Sequence, residues 1–96
     1  FGPQVNDALP VLNMTELAID AWGSGSFLLQ TDAKQPHEAG LLRLDISKTM
    51  LELGWFPKYN AHQAIKVTMD WYQYRQNQPK AIGKYMENQI RDYLYA

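Results

Sequence analysis

His37 and Glu38 form the one adjacent pair that sets an imidazole beside a carboxylate. Such a pair can bind hydroxyls or move a proton, because histidine titrates near neutral pH. Neighbouring side chains need not point together, and in a polar loop a solvated, exposed pair is the ordinary outcome. His62 falls just inside a helix start and off the apolar stripe, which suits a solvent-facing residue. The two histidines are far apart and no cysteine accompanies them, so no metal-ligand spacing is present. Asp20, Glu52, Asp70, Glu87 and Asp92 fall on polar helix faces, and Asp45 stands where a helix cap is needed. Ser24, Ser26 and Ser47 lack the Gly-x-Ser-x-Gly setting of a nucleophile elbow. Gly23-Ser24-Gly25 precedes an expected strand rather than a helix, a poor phosphate cradle. Trp71, Tyr72 and Tyr74 with Arg75, and the pair Trp55-Phe56, could stack on bases, but at helical spacing aromatics are more often core or interface. Taken residue by residue, nothing here amounts to an active site.

The elements that would position these residues belong to one small domain, residues 1–96, with 46% apolar residues and 20% charged. At this size folding hides about 60–65% of the unfolded surface, so stability is expected to be modest. Zero cysteines exclude a disulfide framework and a Cys nucleophile. A net charge of -1 argues against a nucleic-acid binder with a basic face. No apolar run approaches the ~18–20 residues of a membrane span. The start at Phe1-Gly2-Pro3 suggests a piece of a longer protein without a signal peptide.

Residues 1–10 are expected to be irregular. Asn13, three before Glu16, has the spacing of a capping box, and Met14, Leu17, Ala18, Ala21 and Trp22 make a one-sided stripe. Gly23-Ser24-Gly25-Ser26 ends that helix. Phe27-Leu28-Leu29-Gln30 and Leu41-Leu42-Arg43-Leu44-Asp45 read as two short strands around a polar loop, Thr31 to Gly40. A short helix follows from Lys48 to Leu53, stopped by Gly54. Asn60 caps the longest helix, whose apolar face is Ala61, Ala64, Ile65, Thr68, Met69 and Tyr72. Pro79 opens a last helix carrying Ile82, Tyr85, Met86, Ile90, Tyr93 and Leu94. The expected fold is mixed α+β, mostly helical, with about four helices and two short strands.

Certain runs carry a resemblance. Leu44-Asp45-Ile46-Ser47-Lys48, then Leu53-Gly54-Trp55-Phe56-Pro57, then Ala64-Ile65 and Thr68-Met69-Asp70-Trp71-Tyr72 resemble the end of extended short-chain dehydrogenase/reductases that act on nucleotide sugars. Phe1-Gly2-Pro3, Gln35-Pro36-His37-Glu38-Ala39 and Asn88-Gln89-Ile90-Arg91-Asp92-Tyr93 resemble the CDP-glucose 4,6-dehydratase branch, so that essentially the whole chain takes part. The resemblance implies a C-terminal substrate-binding portion of a cytoplasmic lyase, with the NAD-binding Rossmann half absent. It further implies conversion of CDP-glucose to CDP-4-keto-6-deoxyglucose plus water by the full enzyme, a homo-oligomer of O-antigen or lipopolysaccharide biosynthesis holding NAD. The fragment itself is expected to bind no NAD and no metal, and to be inactive alone. None of the tyrosines has a lysine four residues on, so the family's Tyr-x-x-x-Lys pair is absent. By the resemblance, Gln35, His37 and Glu38 contact the CDP-sugar, with Arg43 nearby; no arginine lies in the Gln35–Ala39 run to clamp the pyrophosphate. The expected partners are that substrate and the chain's own Rossmann half, with no nucleic acid and no membrane. The competing expectation is a stand-alone helical interaction module, suggested by the aromatic, Met-bearing faces of the last two helices.

Overall fold

The computed structural model describes residues 1–30 and 43–96. These hold four α-helices: α1 (Val11–Trp22), α2 (Ser47–Leu53), α3 (Ala61–Asn77) and α4 (Ile82–Leu94), with 3-10 turns at Val5–Asp7 and Pro79–Ala81.

The expected strands are a correction. Phe27 to Gln30 and Arg43 to Asp45 are irregular, and no strand occurs among the described residues. Leu41 and Leu42 lie outside them. The fold is helical where mixed α+β was expected. A four-residue apolar run has no period of its own, and it becomes a strand only when a neighbouring ladder takes its N–H and C=O groups. Neither run has such a partner among the described residues, and Leu28 and Leu29 stay 80% and 67% exposed.

The first helix starts earlier than the Asn13-Glu16 spacing suggests. Pro10 occupies the cap position with φ −59° and ψ 152°, so its ring presets the entry of the chain and Val11 begins the first turn. Asn13 therefore lies inside the helix. Gly23 and Gly54, at φ 95° and 61°, end α1 and α2 in the left-handed conformation that favours glycine, each donating its N–H back to a helical carbonyl. Before α2, the Asp45 carboxylate accepts from the Ser47 N–H at 2.8 Å and its hydroxyl at 2.6 Å. These bonds hold the Asp45 carboxyl below the ordinary aspartate value. At α3, Asn60 and Gln63 form the reciprocal capping box that polar residues three apart can make. Pro79 sits where its missing N–H costs nothing, in the turn leading into α4.

α1 packs along α3, and α4 packs against α3 as well. The Gln73 side-chain amide donates to the Trp22 carbonyl at 2.9 Å, closing the C-terminal end of α1. Tyr74 stacks on Tyr85 at 4.1 Å, while the Gln89 amide donates to the Val67 carbonyl at 2.9 Å, so α3 and α4 run antiparallel. The result is a plate of 47 × 39 × 17 Å. Its radius of gyration is 16.4 Å, against about 12–13 Å for a compact domain of this length. It exposes 8184 Å², where a compact chain of this mass would expose about 5,700 Å². Among the described residues Ile46 is the one buried apolar side chain, 2% exposed. The apolar content that promises a core is spread along helix faces instead.

Candidate functional site

Among the described residues a prominent concavity is an apolar groove of about 620 Å³. One wall is the N-terminal half of α3 (Ala64, Ile65, Thr68). The second is a row along α4, Met86, Ile90 and Leu94. Trp55, Pro57 and Tyr59 from the loop before α3 close one end, and Gly2, Pro3 and Leu9 from the N-terminal segment form a further wall. The α4 row recurs every fourth residue, which puts it on one helix face. That face is uncovered: Met86, Ile90 and Leu94 are 46%, 53% and 60% exposed.

Polar groups at the edges serve the fold. Thr68 donates its hydroxyl to the Ala64 carbonyl at 2.7 Å, and Asp7 accepts from the Ala61 N–H at 2.6 Å. Tyr93 packs edge to face on Tyr59 at 5.0 Å and accepts a long bond, 3.4 Å, from the Lys58 N–H. The Lys58 ammonium donates to the Leu94 carbonyl and lies 5.9 Å from the Tyr93 ring centre. No buried side-chain polar atom among the described residues lacks a partner. A groove of this kind takes an apolar surface. It offers no nucleophile–base pair.

Gln35, His37 and Glu38 lie outside the described residues, and Arg43 is exposed in an irregular segment and does not line the groove. His62 is exposed, as its place off the stripe suggests. Asp70 pairs with Lys66 at 2.7 Å and Glu87 with Lys84 at 3.5 Å, both surface helix pairs. Arg75 stands over Trp71 at 5.6 Å, so that cluster is partly self-satisfied. Gly23-Ser24-Gly25 follows the C-terminal end of α1, where carbonyls and the negative end of the helix dipole gather. It does not fit a dinucleotide pyrophosphate, and nothing else in the described residues supplies the Gly-rich turn into a helix that NAD requires. No cluster of His, Cys, Asp and Glu suited to a metal occurs among the described residues, and no helix there is long and apolar enough to cross a membrane. Asp7 and Gln89 were not legible as structural anchors, because each acts on a partner distant in sequence. Met86, Ile90 and Leu94 were legible as a stripe, but not as an uncovered one.

Over 72 residues, 75% of its length, the chain is 32% identical to the CDP-glucose 4,6-dehydratase of Salmonella typhimurium. It spans only 20% of that enzyme's length. No family model matches the chain, and no solved structure matches it. The chain is thus a distant relative of a CDP-glucose 4,6-dehydratase over three quarters of its own length.

Proposed function

We propose that this chain is the substrate-binding portion of a CDP-glucose 4,6-dehydratase. In this reading it closes over a nucleotide sugar, while the NAD-binding and proton-transfer groups come from a half encoded elsewhere in the enzyme. The observation that carries the reading is the 72-residue match to the Salmonella enzyme. The uncovered face along Met86, Ile90 and Leu94 supports it, since a domain that completes another has such a face before the two meet. Gln35, His37 and Glu38 contact the nucleotide, with Arg43 beside them. The chain's contribution to rate is orientation: holding the hexose in reach of the catalytic half removes translational freedom before the chemical step.

A chimera tests this. The matching fifth of the Salmonella enzyme is replaced by this chain, and conversion of CDP-glucose to CDP-4-keto-6-deoxyglucose is followed. Activity is expected in the chimera, with none from the 96-residue chain alone. A folded, NAD-loaded chimera that neither binds CDP nor turns over would overturn the reading. The stand-alone interaction module draws on the same α4 row. For that reading, light scattering across concentration should show self-association that Ile90→Lys abolishes.

A further inference from the structure

Residues 1–10 line one side of the groove, and two of their contacts with the rest of the chain anchor the ends of the segment. At the first, Phe1 meets Trp55 edge to face at 5.1 Å. Gly2 lies so close beneath Leu44 that a Cβ added there would stand 3.1 Å from the Leu44 side chain. At the second, Asp7 Oδ2 accepts the Ala61 backbone N–H at 2.6 Å in a half-buried setting. Ala61 is the first residue of α3, and its N–H is among those a helix start leaves without an intrahelical acceptor. The Asn60 side chain does not serve it, because Asn60 Oδ1 accepts from the Gln63 N–H at 2.8 Å. A carboxylate at this point meets both an unpartnered donor and the positive end of the helix dipole.

No residue of the segment is fully buried, and its larger apolar side chains at Phe1 and Val5 stay open to water. Phe1 is 74% exposed and Val5 55%. Among the described residues, Asp7–Ala61 is the hydrogen bond that ties residues 1–9 to a later element. We propose that residues 1–10 are a strap forming one wall of the groove, and that Asp7 is its latch, a positioning residue that binds the strap to the start of α3. The strap leads directly into α1, so the latch also sets where α1 begins its run along α3. This assignment is independent of the dehydratase reading and holds for the chain by itself.

The test uses the ¹⁵N-labelled chain with Asp7→Ala and Asp7→Asn. In D7A the Ala61 amide resonance should move upfield, the Gly2 amide and Trp55 indole should shift with it, and the Gln63 and Gln73 amides should hold their positions. Thermolysin should cut between residues 4 and 10 about tenfold faster, the change expected when one hydrogen bond to a charged group is lost. D7N keeps an acceptor oxygen without the charge and should fall between D7A and the parent. A D7A chain in which only the Ala61 amide moves, with strap proteolysis unchanged, overturns the proposal. If D7A unfolds, D7N decides: faster strap cleavage with α3 amides in place supports the latch, and unchanged cleavage overturns it.

Discussion

Ile46 and the α3–α4 groove are both apolar, yet one is shut and the other open. Ile46 is 2% exposed, whereas Ile90 in the groove is 53% exposed. At Ile46 the backbone of Gly2 comes close enough that a Cβ would lie 3.5 Å from the isoleucine's Cγ2, so one short segment closes over a single side chain. The groove is bounded by whole helix faces and measures about 620 Å³, more than a few residues of strap can fill. A side chain can be covered locally. A helix face needs another element of comparable length to cover it, and among the described residues none packs over the Met86, Ile90 and Leu94 row.

That contrast can be broken at its strongest point first. Ile46→Ala should cost about 2–4 kcal/mol, because a packed side chain leaves a cavity. Ile90→Ala should cost under about 1 kcal/mol, since half of that side chain already meets water. Paired urea melts check this, and equal losses would erase the distinction between shut and open. In the active chimera the order should reverse, with Ile90→Lys disrupting assembly more than its stability cost alone explains.

Asn60→Ala sharpens the closed side of the comparison. Losing the capping box should lower stability by about 1 kcal/mol, read from the melting midpoint. A smaller gain is expected from Gly83→Ala in α4. Nothing lies within 4 Å of a Cβ built there, so the added helix propensity should contribute about 0.5 kcal/mol.

The smallest effect is electrostatic. The Asp45 carboxyl is held below 3.8 by its bonds to the Ser47 hydroxyl and N–H. Its folded value is thus the depressed one: the contribution is present above 3.8 and lost as pH falls through the folded value. Carboxyl ¹³C titration of Ser47→Ala should show the Asp45 midpoint moving up toward 3.8. Lys66 runs the other way. Asp70 raises it above 10.5, so that pair contributes below 10.5 and fades as pH rises through the raised value.

Helix content was readable residue by residue. Asn60 with Gln63, the two stopping glycines and Pro79 each act on backbone within a few positions, so their types and spacing suffice. Asn13 misled because Pro10, three residues earlier, had already set the turn. Phe27 to Gln30 misled because strand formation is a property of two segments, and only one of them can be read at a time. The site was less legible. The role of Gln35, His37 and Glu38 as substrate contacts came from resemblance and these residues lie outside the described ones, while the groove depends on where four separate segments meet.

By itself, then, the order of amino acids determined where helices start and stop, and which side of each is apolar. Those outcomes follow from backbone bonds and a period of 3.6 residues, which close within one or two turns. Tertiary structure alone decided which apolar faces are covered. Burial of the Ile46 side chain and exposure of the α4 row depend on chain segments tens of residues apart arriving at the same place. No local pattern encodes that arrival.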